Sequence, residues 1–216
     1  MTAVEAVVSD FGGVLTTPLL EAFAALQAAK QIPLEAFGGG LARAAERYGE
    51  QPLHALETGA ISEREFVALL GDGIAEVLGR PVELDGFGAA FFAALRPNEE
   101  LFAFMRELRG RGYRMAILTN NVREWEPLWR AMLPIDEVFE LVVDSAFVGV
   151  RKPDPAIYEL LLSRLSLPAG ATVFLDDLEV NCEAARALGM HAVHFRDNDQ
   201  AIVELQALLD GAPAAR

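Results

Sequence analysis

Apolar residues follow two rhythms along the chain, which separate a long helical stretch from a region of alternating strands and helices. Residues 3–9 form a mostly apolar run that predicts a short buried strand ending before Asp10. Between residues 18 and 95 alanine is abundant and the apolar spacing is about 3.6 residues, which predicts a series of helices. Glycines predict breaks in this series at residues 38–40, 59 and 79–81.

After Pro97 the pattern alternates, which predicts βαβ units, a mostly parallel sheet and therefore an α/β fold. The helical stretch interrupts this pattern after the first strand, so we expect an insertion that covers the strand ends. The last residues, 211–216, are expected to be frayed. Predicted strands are residues 114–118, about 140–143, 172–175 and 191–195, and predicted helices are 98–110, 122–132, 153–166, 179–188 and 200–209.

Polar side chains follow three of the predicted strands. Asp10, the pair Thr119 and Asn120, and the pair Asp176 and Asp177 each come directly after an apolar run. In open α/β sheets, ligands bind beyond the carboxyl ends of the strands. We therefore expect these groups to meet at one edge, although about 110 and then about 55 residues separate them in the chain.

Asp10 and Thr119 each allow a structural and a chemical interpretation. Asp10 with Gly12 and Gly13 could form an Asx turn, or it could attack a substrate while the glycines let backbone N–H groups approach an anion. Thr119 and Asn120 could cap a helix, or they could hold phosphoryl oxygens.

The later polar residues leave similar alternatives. Lys152 is either a solvated lysine or the cation that neutralises a phosphoryl group and its nucleophile, and Pro153 is expected to begin the next helix. Asp176 and Asp177 repel each other unless a cation lies nearby, most naturally Mg²⁺. Asn181 lies either on an exposed helix face or beside that metal.

Composition narrows the function classes. The chain of 216 residues suits one domain or a core with an insertion, and 18 basic against 32 acidic residues give a net charge of −14. That charge opposes non-specific binding to nucleic acid or anionic lipid. A lone cysteine, Cys182, no signal peptide and no apolar stretch of about 20 residues predict a cytoplasmic protein that is not inserted in a membrane.

The segments DFGGVL, ILTNN, VRKPDPAIYELLL and VFLDDLEVNCEAARALGM, in this order, resemble the four motifs of haloacid dehalogenase-like (HAD) hydrolases. The resemblance covers the whole chain and is closest to the N-terminal phosphatase domain of soluble epoxide hydrolases. It implies a Rossmann-like core from residues 1–16 and 96–216 with a helical cap from residues 17–95. The resemblance implies that Asp10 is the nucleophile and that Lys152 contacts the phosphoryl group. It implies that Thr119, Asn120 and Asn121 bind the substrate. Mg²⁺ would be bound by Asp10, Asp177 and the carbonyl of Gly12, with Asp176 and Asn181 in support.

Position 12 departs from that family pattern. The phosphatases of the family usually carry a second aspartate there as general acid and base, which contributes a factor of roughly 10² to 10⁴. With Gly12 at this position, we expect turnover to favour leaving groups of low pKa, such as an anomeric or acyl phosphate. The cap or a metal-bound water could also supply the proton.

Three functions follow from these motifs. The first is a Mg²⁺-dependent phosphatase for a small phosphorylated metabolite. The second is a haloacid dehalogenase, although those enzymes usually have Tyr at position 12 and lack the paired aspartates. The third is a non-enzymatic binding or regulatory protein, and an apolar cap surface would be compatible with a homodimer. Candidate pocket residues are Arg43, Arg47, Tyr48, His54, Trp125 and Trp129, whereas Arg151 receives no role.

Overall fold

Five short strands form one fully parallel sheet in this computed structural model, which describes residues 3–211. They are β1 (Ala6–Ser9), β2 (Arg114–Thr119), β3 (Leu141–Asp144), β4 (Thr172–Asp176) and β5 (His191–His194). Their order across the sheet is β3-β2-β1-β4-β5, which confirms the predicted α/β fold with a parallel sheet. Because β1 is central, Asp10 follows it at the middle of the carboxyl edge. Most of the tail expected to fray, residues 212–216, lies outside the described residues.

The helices of the described residues fall into two groups along the chain. Five lie between β1 and the later alternating region: α1 (Leu19–Lys30), α2 (Leu34–Tyr48), α3 (Pro52–Glu57), α4 (Glu63–Leu78) and α5 (Phe87–Ala94). Those that follow are α6 (Glu99–Gly110), α7 (Glu126–Arg130), α8 (Ile135–Val138), α9 (Ser145–Val148), α10 (Pro155–Leu165), α11 (Glu179–Ala187) and α12 (Asn198–Leu209), with short 3₁₀ turns at Arg123–Trp125 and Ala169–Ala171.

Buried apolar side chains of the described residues form three clusters. Successive side chains of a strand point to opposite faces, so Val7 packs with α6 and α12 while Ala6 and Val8 pack with α10 and α11. The third cluster joins α1–α5 to Val122 and Trp125, which follow β2. The five helices therefore have a core of their own that reaches the carboxyl edge of the sheet.

The chain enters and leaves the five helices along two adjacent segments. Thr16 and Pro97 form an isolated antiparallel bridge. Beside it the Thr17 N–H donates to the Arg96 carbonyl (2.9 Å), and the Asn98 N–H donates to the Leu15 carbonyl (2.8 Å). This geometry is what an insertion after the first strand requires, and the division into core and cap stays a prediction.

The predicted break at residues 38–40 is wrong, because α2 runs through all three glycines. A Cβ on Gly40 would lie 2.4 Å from Ile74 Cγ1 and 2.9 Å from the Ile74 nitrogen. A Cβ on Gly73 would in turn lie 2.2 Å from the Gly40 carbonyl oxygen. These glycines therefore allow α2 and α4 to touch backbone to backbone, a tertiary gain that offsets their low helix propensity.

Two predicted helix boundaries also differ from the structure. Helix α10 begins at Pro155 rather than Pro153, because the Asp154 side chain caps it by accepting the Ala156 N–H at 2.9 Å. The helix predicted over residues 122–132 is a 3₁₀ turn followed by the short α7. None of the helices in residues 3–211 combines the length and apolar character needed to cross a bilayer.

Candidate active site

Asp10 lies buried at the centre of the carboxyl edge. Its Oδ1 accepts the Phe11 N–H at 2.7 Å and lies 2.9 Å from the Lys152 ammonium. Its Oδ2 takes no hydrogen bond from the described residues. Burial raises the pKa of Asp10 to about 7, against the pull of Lys152 and with the help of the carboxylates of Asp176 and Asp177. One oxygen is thus fixed and the other is free to react.

Lys152 is 1 % exposed and joins two carboxylates from different strand ends. Its ammonium lies 2.9 Å from Asp10 Oδ1 and 2.6 Å from Asp176 Oδ2. Burial disfavours the charged form, but the two carboxylates outweigh it, so the pKa of Lys152 is raised above its ordinary value. The lysine is therefore a fixed cation at the edge, and the alternative of a solvated loop lysine is wrong.

Asp176 and Asp177 are adjacent in sequence but have different surroundings. Asp176 is saturated, since Oδ1 accepts the Leu178 N–H (2.8 Å) and the Asn181 amide (2.9 Å) while Oδ2 accepts from Lys152. Asp177 takes no side-chain hydrogen bond from another described residue, and burial and then Asp176 raise its pKa. Asn181 is buried rather than on an exposed face.

The carboxyl groups of Asp10, Asp176 and Asp177 suit a hard cation. Each offers an oxygen, and these oxygens lie within 4.8 Å of one another. Lys152 supplies one positive charge for three carboxyl groups, which leaves a charge deficit that a divalent cation would meet. Gly13, at φ +78°, permits this approach, because a Cβ there would lie 2.4 Å from Asp177 Oδ2. The residues present therefore fit Mg²⁺.

Hydrogen bonds to neighbouring segments fix Asn120 and Asn121, the two residues that follow β2. The Asn120 amide is engaged with the backbone of Lys152, donating to its carbonyl (3.0 Å) and accepting its N–H (2.8 Å). The Asn121 side chain accepts the Val122 N–H (2.9 Å), and the Asn121 backbone N–H donates to Ser145 Oγ (3.1 Å). Asn120 thus fixes Lys152, and both asparagines line the adjoining cavity with Thr119.

A cavity of about 410 Å³ lies between the carboxyl edge and the five helices. Its wall consists mainly of leucine and phenylalanine side chains from α1–α5, together with Trp125. The polar side chains in the wall are Glu57, Thr119, Asn120 and Asn121. Its volume is within the range of ligand pockets, roughly 300–1,000 Å³. The arrangement suits a ligand with one polar end at the edge and an apolar body.

Most predicted pocket residues lie elsewhere. Of the six candidates only Trp125 is in the cavity wall. Arg43 pairs with Glu46 on the same helix, and Arg47 pairs with Glu76 on α4. Tyr48 and His54 are exposed. Trp129 is fully buried against the ring of Phe11, with ring centroids 5.0 Å apart.

Sequence reasoning missed an ion pair beside the cavity. Arg151 Nε donates to Glu57 Oε2 at 2.6 Å, joining α3 to the segment that carries Lys152. The Glu57 carbonyl also accepts from Ser145 Oγ at 2.5 Å. Glu57 and Arg151 are 94 positions apart in the chain, and no local sequence motif links them.

Comparison with known sequences gives one family. The family model described as a haloacid dehalogenase-like hydrolase matches residues 4–189. Acyl-CoA dehydrogenase family member 10 of Mus musculus is 30 % identical over 94 % of this chain and 19 % of its own length. A sesquiterpene phosphatase of Aspergillus oryzae is 33 % identical over 53 % of the chain and 59 % of its own length. Bifunctional epoxide hydrolase 2 of Mus musculus is 26 % identical over 91 % and 37 %, so the chain spans less than two thirds of each relative.

Solved structures share the fold. A predicted HAD-like hydrolase from Porphyromonas gingivalis superposes with a TM-score of 0.73 at 23 % identity, covering 96 % of this chain and 98 % of that one. A HAD-family enzyme of Bacteroides thetaiotaomicron, solved as a magnesium complex, gives 0.66 at 24 % identity over 90 % and 94 %. At these identities the likeness shows the fold.

Proposed function

This chain belongs to the haloacid dehalogenase-like hydrolase family, and from that premise we propose that it is a Mg²⁺-dependent phosphatase. The observation that carries the proposal is the buried lysine that bridges Asp10 and Asp176 while Asp177 stays unbonded. Such a site can bind a phosphoryl dianion and a divalent cation together. Relatives described as phosphatases, including the sesquiterpene phosphatase, support the same reaction class.

Asp10 is the proposed nucleophile. Its Oδ1 is fixed by the Phe11 N–H and Lys152, so Oδ2 can be aimed at phosphorus. Attack forms the Asp10–phosphorus bond and breaks the bond to the leaving oxygen, giving an aspartyl phosphate that water then hydrolyses. Lys152 offsets the negative charge of nucleophile and phosphoryl group, and Asp176 holds the lysine in place.

Asp10, Asp177 and the carbonyl of Gly12 are the proposed ligands of Mg²⁺, which when bound would neutralise the charge of the phosphoryl group. Asp176 and Asn181 would keep Asp177 and Lys152 in register through the hydrogen bonds that saturate Asp176. Thr119 and the backbone N–H groups that follow β2 would hold phosphoryl oxygens, since the Asn120 amide is committed to Lys152.

The cavity points to a phosphate ester with an apolar organic group. Burying apolar surface contributes about 25 cal/mol per Å², so a leucine and phenylalanine wall favours an apolar body over a sugar or an amino acid. The sequence led us to expect a small phosphorylated metabolite as the substrate, and the cavity narrows that class to phosphate esters with an apolar group. The sesquiterpene phosphatase relative acts, by its name, on a substrate with an apolar body, which agrees with this proposal.

Position 12 offers no proton to the leaving group. A Cβ on Gly12 would lie 3.1 Å and 3.2 Å from the two methyl carbons of Leu19, so an apolar side chain faces this position. The leaving oxygen must therefore be weakly basic or take a proton from another group.

A phosphate-release assay tests the proposal. Short and long alkyl phosphates and 4-nitrophenyl phosphate are offered with Mg²⁺ and with EDTA, to the wild type, to Asp10→Asn and to the exposed control Asp199→Asn. We expect Mg²⁺-dependent turnover that Asp10→Asn abolishes and Asp199→Asn retains. Turnover of no phosphate by the wild type, or an Asp10→Asn variant as active as the wild type, would overturn it. Chloride release from 2-chloropropionate without metal would indicate a dehalogenase instead.

A further inference from the structure

Glu57 is the one ionisable side chain among the described residues that line the cavity. It is the last residue of α3, and its side chain is 16 % exposed. All other side chains in the wall are apolar or, in Thr119, Asn120 and Asn121, neutral and polar. A cavity beside a reactive carboxylate thus contains one further carboxyl group that can exchange a proton.

Two contacts fix Glu57 against the carboxyl edge. Its Oε2 accepts from Arg151 Nε at 2.6 Å, and its backbone carbonyl accepts from Ser145 Oγ at 2.5 Å. Arg151 directly precedes Lys152, whose ammonium contacts Asp10. Oε1 takes no hydrogen bond from any residue that the structure describes. Glu57 therefore has one oxygen tied to the edge and one oxygen uncommitted.

Burial and the charged neighbours act on the pKa of Glu57 in opposite directions. Burial raises the pKa of Glu57, and the positive charges of Arg151 and Lys152 only partly oppose this. The balance keeps its pKa above the ordinary value for a glutamate. A carboxyl group of raised pKa is the usual form of a catalytic acid near neutral pH.

We propose that Glu57 is the general acid and base for the leaving group, in place of the carboxyl group that Gly12 lacks. This inference rests on the proposed phosphatase function. As the phosphorus–oxygen bond breaks, its electron pair stays on the leaving oxygen, which takes the proton from Glu57. The Glu57 carboxylate then takes a proton from the water that attacks the aspartyl phosphate, which releases phosphate from Asp10 and restores the acid.

A pair of substrates of similar size isolates this role. Hexyl phosphate and 4-nitrophenyl phosphate each present a six-carbon group to the cavity, but the hexyl alkoxide needs a proton to leave whereas 4-nitrophenolate does not. We expect Glu57→Gln to slow hexyl phosphate by about 100-fold or more and 4-nitrophenyl phosphate far less. The pH profile of kcat for hexyl phosphate should also lose its alkaline limb in this variant.

Arg151→Gln is the matched control, because it removes the ion pair and keeps the carboxyl group. It should lower the ratio of the hexyl phosphate rate to the 4-nitrophenyl phosphate rate less than Glu57→Gln does, because Glu57 loses one fixing contact but keeps its proton. Equal slowing of both substrates by Glu57→Gln, in a wild type that hydrolyses both, would overturn this inference and leave the phosphatase function standing. A wild type that hydrolyses neither these two substrates nor the other alkyl phosphates of the phosphate-release assay would overturn the proposed function itself. If Glu57→Gln does not fold, Glu57→Asp decides, and equal slowing of both substrates by that variant counts against the role.

Discussion

At the carboxyl edge Lys152 contacts Asp10 and Asp176, and Asp177 has a carboxylate oxygen within 4.8 Å of theirs. The wall of the adjoining cavity is instead apolar apart from Glu57 and the three polar residues at the end of β2, Thr119, Asn120 and Asn121. At the edge each oxygen or ammonium is either fixed by a named partner or suited to a cation. In the wall, many leucine and phenylalanine side chains share only their apolar character, and exchanging one apolar side chain for another of similar volume lowers stability only modestly. The proposed chemistry therefore depends on single atoms at the edge, and the proposed substrate preference depends on the summed surface of the wall.

Lys152→Met should produce the largest effect at the edge. Without the ammonium, Asp10 and Asp176 keep buried carboxylates with no compensating charge, which costs about 3–5 kcal/mol of unfolding free energy. Phosphatase activity should fall by at least about 100-fold, because the phosphoryl charge is no longer offset. Urea unfolding and initial rates with 4-nitrophenyl phosphate measure the two effects.

The control is Lys30→Met, since Lys30 donates to the Asp85 carbonyl at the surface (3.2 Å). A Lys152→Met protein as stable as this control would show that the charges of the edge are not interdependent.

Asp177→Asn and Asp176→Asn should separate the metal from the scaffold. The Asp177 side chain accepts no hydrogen bond from another described residue, and burial and Asp176 disfavour its ionised form. Asp177→Asn should therefore weaken Mg²⁺ binding by on the order of 100-fold and leave the metal-free fold at least as stable as before. Asp176 accepts three hydrogen bonds, so Asp176→Asn should cost about 1–3 kcal/mol of unfolding free energy even without metal. Titration calorimetry and urea unfolding in EDTA compare them. Equal losses of stability in both variants would mean that the two aspartates have the same function.

The difference between edge and wall also explains what the sequence could predict. Asp10, Thr119 and Asp176 follow short apolar runs, and a parallel sheet brings strand ends together whatever lies between them in the chain. The side chains of the wall look like any other core residues in the sequence, because a cavity is defined by where packing stops. Glu57 was missed because its partner Arg151 lies 94 residues away.

The break predicted at residues 38–40 failed for a related reason. Glycine lowers helix propensity, and the pattern carries no sign that Gly40 and Gly73 face each other. Only the packing of α2 against α4 turns these glycines into a contact surface. Local propensity is thus a good guide at strand ends and a poor one where two helices meet.

Gly38→Phe should test the wall without touching the edge. Gly38 lines the cavity within α2, and a Cβ there would meet no atom within 4 Å, so this position has room for a side chain that narrows the cavity. We expect kcat/KM for a long alkyl phosphate to fall by about tenfold, the loss of two buried methylenes, while methyl phosphate is hydrolysed as before. The control Gly38→Ala should raise the unfolding free energy by about 0.5–1 kcal/mol and keep the preference for long chains. A Gly38→Phe variant that slows both substrates alike would argue against the cavity as the binding site of the apolar group.

Asp144, at the end of β3, is a carboxyl group at the edge that forms no ion pair with a described residue and is not a proposed ligand of Mg²⁺. Its Oδ1 accepts the Ala146 N–H at 2.9 Å, and its buried Oδ2 has no partner among the described residues. Burial raises the pKa of Asp144 to about 6. In the unfolded chain that pKa is about 3.9, so the folded state binds the proton more tightly. Ionisation should therefore remove stability as the pH rises from about 4 to about 6, and the loss should persist at higher pH.

Asp144→Asn should remove this pH-dependent loss, since an amide keeps the Oδ1 cap and carries no charge. We expect the variant to be more stable than the wild type by about 1–2 kcal/mol at pH 8, with the difference shrinking towards zero at pH 4. Urea unfolding at several pH values measures the difference, in which the titration of all other groups cancels. A difference that stays constant with pH would mean that Asp144 has the same pKa in the folded and unfolded states, and that the edge stabilises this carboxylate by interactions that balance its burial.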